Sequence, residues 1–80
     1  MDIDYEVVSE SAGHTKNKGV DLKEAARDIF KKCKEKAMQC AVNAEFITFD
    51  NVDELMDKLK RASVGGCSIR VYDEVYSGWM

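Results

Sequence analysis

Between Asp21 and about Val42 the residues Leu22, Ala25, Ala26, Ile29, Phe30, Cys33, Ala37, Cys40 and Ala41 recur at three- and four-residue steps. That spacing keeps side chains on one side of an α-helix. A helix with one apolar stripe needs a cover, and in a chain of 80 residues the cover is the rest of the molecule. Asp21 stands at the N-cap position with Glu24 three residues on, which predicts a reciprocal capping box. Glu24 and Asp28 come early and Lys31, Lys32, Lys34 and Lys36 late, the order the helix macrodipole favours.

The other segments read as strands, a loop and a second helix. Ile3 to about Glu10 alternates Ile3, Tyr5 and Val7 with Asp4, Glu6, Val8 and Glu10, a strand with an apolar side and a mostly acidic one. Ser11 to Val20 is polar and contains Gly13 and Gly19, which predicts a loop with room for a short hairpin strand near residues 13–20. Ala44 to Phe49 is apolar on both sides, as a strand in the middle of a sheet is. Asn51 and Glu54 open a second helix whose stripe is Val52, Leu55, Met56, Leu59 and Ala62, and Gly65 supplies a left-handed C-cap. Glu54 with Lys58 and Asp57 with Arg61 form i,i+4 pairs on its wet side. Cys67 to about Tyr76 alternates again, with Cys67, Ile69, Val71 and Val75 on one side and Ser68, Arg70, Tyr72, Glu74 and Tyr76 on the other. The expected fold is an α/β (α+β) two-layer sandwich in the order β-α-β-α-β, with both helices on one face of a small three-stranded sheet.

Length and charge narrow the function classes. One domain spanning 1–80 is expected, because a chain of this size has a single core. No run approaches the roughly 18 apolar residues that cross a bilayer, and the first ten residues are acidic where a secretory leader is basic and then apolar, so a cytoplasmic, membrane-free protein is expected. The three cysteines, Cys33, Cys40 and Cys67, are an odd number without a C-x-x-C pair, which argues for free thiols rather than disulfides or zinc. Net charge is −3, and its sign alternates along the chain, unlike the basic excess of a typical nucleic-acid binder.

Three features offer chemistry. His14, Lys16 and Lys18 lie between two glycines just before a helix N-terminus, where an anion or nucleic acid could be held, although no G-K-[ST] ending follows. Lys23, Arg27, Lys31 and Lys34 form a basic ridge along the first helix, a pattern whose default reading is a solvated face. If the helices cover Ile69 and Val71, then Arg70, Tyr72, Glu74 and Tyr76 are displayed together beside Glu6, Val8 and one side of AEFITF, and Trp79 can join them. Aromatics and an arginine held on strands are the anchors of protein interfaces. No Ser-His-Asp, Cys-His, H-E-x-x-H or glycine fingerprint is present, so neither catalysis nor a cofactor or metal is expected.

The first strand DYEVVSES, the glycine-flanked GHTKNKGV, the helix opening DLKEAARDIF and the aromatic end RVYDEVYSGWM together resemble small accessory proteins of bacteriophages and mobile elements, including anti-CRISPR inhibitors. The resemblance implies a stoichiometric inhibitor that occupies a site on a larger host defence complex without chemistry of its own. The leading expectation is a protein-binding module using Arg70, Tyr72, Glu74, Tyr76 and Trp79. Alternatives are a nucleic-acid-binding regulator using His14, Lys16, Lys18, Lys23, Arg27, Lys31 and Lys34, and a homodimer paired through its last strand.

Overall fold

A computed structural model describes residues 1–9 and 13–73. The chain runs β1 (Asp2–Ser9), β2 (Gly13–Asp21), α1 (Leu22–Glu35), β3 (Gln39–Val42), β4 (Glu45–Phe46), α2 (Val52–Val64) and β5 (Ile69–Tyr72). These strands form one five-stranded mixed sheet in the order β2-β1-β5-β3-β4. β1 and β5 lie parallel at its centre, and the β1–β2, β3–β5 and β3–β4 pairings are antiparallel. The result is a small α+β domain with five strands rather than three, and with two hairpins inserted into the expected β-α-β-α-β order.

Each departure has a local cause. The hairpin strand for which the polar segment had room near residues 13–20 is present as the edge strand β2, longer than expected and paired along the whole of β1. The long helix stops at Glu35 rather than about Val42, because Ala37 takes a left-handed φ of 52° and turns the chain out. Gln39–Val42 then pairs with β5, so Cys40 and Ala41 continue an apolar stripe by strand alternation rather than by helical spacing. Asn43 and Ala44, both at positive φ, make a two-residue turn into β4, the backbone pattern of a type I′ hairpin. AEFITF therefore supplies a two-residue edge strand, not a central one, and Ile47 and Phe49 reach the core from irregular chain. At the helix ends, Asp21 makes no side-chain cap bond. Asn51 does cap α2, accepting from the Glu54 amide at 2.8 Å, while the Glu54 carboxylate reaches back to the Asp50 amide at 3.2 Å. The left-handed glycine after α2 is Gly66 (φ 74°) and not Gly65 (φ −79°). The expected last strand is seen as Ile69–Tyr72, and its extension from Glu74 to Tyr76 falls outside the described residues.

One core joins both helices to the sheet. Ala25, Ala26 and Ile29 of α1 and Leu55, Leu59 and Ala62 of α2 pack with Ile3, Tyr5, Cys40, Ile69 and Val71. Those five strand residues alternate onto one side of the sheet, so α1 and α2 share that side. The Phe30 and Phe49 rings meet at a tilt of 47°, centroids 5.9 Å apart, tying α1 to the chain after β4. Burying an aliphatic side chain of the size of Ile29, Leu55 or Leu59 stabilises by roughly 1.5–3 kcal/mol, so these three are principal contributors. The opposite side of the sheet carries no helix among the described residues.

Candidate interaction face of the sheet

The ladder registers arrange the uncovered side in rungs. Lys16 of β2 stands opposite Glu6 of β1, Glu6 opposite Arg70 of β5, Arg70 opposite Ala41 of β3, and Ala41 opposite Phe46 of β4. The next rung is His14, Val8, Tyr72 and Gln39. A bulge sets this phase. Ile3 faces Val20 while Tyr5 faces Asn17, so β2 carries one extra residue there, and Gly19 takes φ 64°. The Gly19 amide donates to Asp4 Oδ1 at 2.8 Å. Without the extra residue Val20 and His14 would share a face; with it, Val20 packs into the core while His14 and Lys16 stay on the uncovered side.

At the centre lies a charge cluster beside an aromatic pair. Glu6, only 15% exposed, accepts from Arg70 Nε at 3.1 Å and lies 3.3 Å from His14 Nδ1. Arg70 Nη1 reaches the Tyr72 hydroxyl at 3.5 Å, and that oxygen, with Glu6, holds the guanidinium pKa above its ordinary value, so Arg70 is cationic throughout the working range. The Tyr72 and Phe46 rings meet edge to face, centroids 6.0 Å apart at 87°. Phe46 is 41% exposed, a large apolar ring left at the surface. Val8 and Ala41, though on this face, are buried between taller neighbours, His14 and Tyr72 for the first, Arg70 and Phe46 for the second.

Of the residues expected to bind a partner, Arg70 and Tyr72 lie together on this face, and Glu74, Tyr76 and Trp79 fall outside the described residues. His14 and Lys16 also belong here, on the side of the sheet opposite α1. Lys18 sits at the bulge. Lys23, Arg27, Lys31 and Lys34 are exposed on α1 across the sheet, with Lys34 Nζ 5.5 Å over the Phe30 ring. The basic loop and the basic ridge are therefore two surfaces, not one. Phe46 is the exposed ring of this face that sequence reading did not single out; its signal is an aromatic two residues after a turn-forming Asn-Ala, on the outward phase of a hairpin.

On the helix side, the buried Tyr5 hydroxyl donates to Asp28 Oδ2 at 2.6 Å, and Lys32 Nζ donates to Asp28 Oδ1 at 2.7 Å. Burial alone would raise the Asp28 pKa, but Lys32 and Tyr5 outweigh it and hold the carboxyl below its ordinary 3.8. Burial, followed by the Asp28 bond, pushes the Tyr5 phenol up. Asp28 and Lys32, already paired with each other, border a cleft of about 350 Å³ between α1 and the first hairpin. Burial pushes the Cys40 thiol up to about 12. Among the described residues no three His, Cys, Asp or Glu side chains converge as a metal site would require, and no helix is long and apolar enough to cross a membrane. No family model, curated protein or solved structure matches the chain.

Proposed function

We propose that the chain is a non-enzymatic protein-binding module that contacts its partner through the side of its sheet opposite α1 and α2, and that it acts by occupancy, as a stoichiometric inhibitor or modulator of a larger complex. The observation that carries this reading is the Phe46–Tyr72 pair standing beside Arg70 on paired strands, with Phe46 left exposed. Aromatic rings and arginine ringed by charge are the residues that dominate interface energies. A nucleic-acid regulator would need the cations of β2 and of α1 on one surface, and they lie on opposite sides of the sheet. Self-association through the same face is the remaining protein reading, and light scattering of the purified chain separates it from a hetero-complex.

The test uses tagged full-length protein and the same protein carrying Phe46→Ala with Tyr72→Ala. A protein captured from the source lysate by the unaltered chain is expected to be lost by the double variant, to crosslink to β4 or β5, and to be retained by Lys60→Gln on α2. Each truncated anchor is expected to weaken the purified complex by about tenfold or more, while circular dichroism stays unchanged. Capture that survives loss of both rings overturns the proposal.

A further inference from the structure

We infer that the partner element seated on this face is an acidic protein segment, with a carboxylate on Arg70 and Lys16 and an apolar side chain on the Phe46–Tyr72 pair; this rests on the protein-binding reading above. The argument is one of charge left over. Glu6 has a basic residue directly opposite it on each neighbouring strand, Lys16 on one and Arg70 on the other, with His14 on the diagonal. Its two oxygens serve Arg70 and His14. Lys16 has no carboxylate within 4.0 Å among the described residues, and neither has Lys18. The second acid here, Asp4, is engaged by the Gly19 amide.

These side chains line a groove of about 230 Å³ across β2, β1 and β5, with Lys16, Lys18 and Arg70 against Asp4 and Glu6. Both acids of the groove are committed and two of its three cations are not. Arg70 spends Nε on Glu6 and one Nη1 hydrogen on Tyr72, which leaves guanidinium N–H donors for an incoming carboxylate. Such bonds are charge-assisted, the strongest class of hydrogen bond. Tyr72 follows Arg70 by two residues on the same face, about 7 Å along the strand. The seat therefore fits an extended segment that offers a carboxylate and an apolar side chain at that separation.

Nucleic acid fits less well. A phosphate backbone is a continuous line of charge, and one laid along Lys18, Lys16 and Arg70 must pass Asp4 and Glu6, which lie between those cations. A protein carboxylate is a single point that can settle on Arg70. The two rings are also turned edge to face against each other, rather than presented as parallel stacking platforms.

The experiment measures fluorescence anisotropy of the full chain with three labelled probes of equal length: a peptide repeating Glu-Ser-Phe-Ser, which when extended carries Glu and Phe on one side about 7 Å apart, the same peptide with Gln for Glu, and single-stranded oligothymidine. The Glu peptide is expected to bind at least about tenfold more tightly than the Gln peptide. Arg70→Gln is expected to remove most of that preference, Lys16→Gln a smaller part, and Lys60→Gln none; Lys16 is exposed on an edge strand, so its variant keeps the test valid if Arg70→Gln disturbs folding. Equal binding of both peptides, no binding of either, or tighter binding of oligothymidine overturns the acidic-segment assignment. The protein-binding reading survives the first two results if the lysate partner is still lost on replacing Phe46 and Tyr72, and falls if that partner is retained.

Discussion

Ala44 carries an unusual conformational demand and Tyr5 an electrostatic one, and both give measurable predictions. Ala44 holds φ 68° in the turn between β3 and β4, a region that costs an L-residue about 1–2 kcal/mol relative to the right-handed one. Glycine avoids that strain but loses more backbone entropy on folding, by roughly 0.5–1 kcal/mol. Ala44→Gly should therefore stabilise by about 0.5–1 kcal/mol, read as a higher urea midpoint at unchanged slope. Asn43, its neighbour at φ 51°, also receives the Ser68 amide on Oδ1 at 3.1 Å, so the same exchange at 43 should destabilise instead. Tyr5→Phe deletes the hydroxyl bonded to Asp28 and should cost about 1 kcal/mol at neutral pH. Because Asp28 is held below its ordinary 3.8, its contribution exists above that pH and disappears as pH falls through the folded value. Because the Tyr5 phenol is pushed above its ordinary 10.0, its contribution is complete below pH 10.0 and declines above it. The stability difference between the parent and Tyr5→Phe should thus be flat from about pH 5 to 9 and narrow at both ends. A difference that stays constant down to acid would remove Asp28 from the account.

At the level of elements, what the sequence disclosed depended on whether the controlling contact was local. Asn51 and Glu54 announce α2 because a cap is made by residues three apart, and the structure has that bond. Ile69 and Val71 against Arg70 and Tyr72 announce two faces of a strand for the same reason, and the Arg70–Tyr72 half of the candidate face was legible from it. Gln39–Val42 was not legible as a strand. Cys33, Ala37, Cys40 and Ala41 keep helical spacing, and only Ala37's turn and the edge offered by β5, 29 residues on at the Ala41↔Arg70 pair by difference of residue numbers, decide otherwise. The β2 bulge is the other hidden decision, since nothing near Gly19 says which face Val20 will take. Its backbone requirement can be tested alone, because a Cβ at Gly19 would meet no atom within 4 Å. Gly19→Ala should then cost about 1 kcal/mol from the φ of 64° and nothing from crowding. Amide shifts should be confined to β2 and the facing part of β1. A neutral result would mean that the bulge relaxes to another register, and His14 and Lys16 would then leave the face shared with Arg70.

Across the whole molecule β5 holds the two halves of the sheet together. In the sheet β5 lies between the hairpin β1–β2 and the hairpin β3–β4, with β1 parallel on one side and β3 antiparallel on the other. The partners of Val71, Val7 and Cys40, come from distant parts of the chain, so β5 can add only when both are in place. Amides of Ile69 to Val71 should accordingly exchange hydrogen at the rate of global unfolding, while β4 and the outer edge of β2 exchange faster through local opening. Val71 is fully buried, and Val71→Ala removes two methyl-sized groups and leaves a cavity at the junction, which should cost about 2–3 kcal/mol. A domain of this length holds roughly 4–12 kcal/mol in all, so that single change should lower the melting temperature by many degrees. The alternating strand also presents Arg70 and Tyr72 to the other side, so stability and the proposed recognition share one short segment. Val71→Ala should weaken partner binding only in proportion to the unfolded fraction, and Tyr72→Ala should do the reverse, weakening binding with the melt nearly unchanged. Exchange from Ile69 to Val71 that ran well ahead of α1 would show that the sheet opens at its centre, and would dissociate the strand that anchors the fold from the strand proposed to meet the partner.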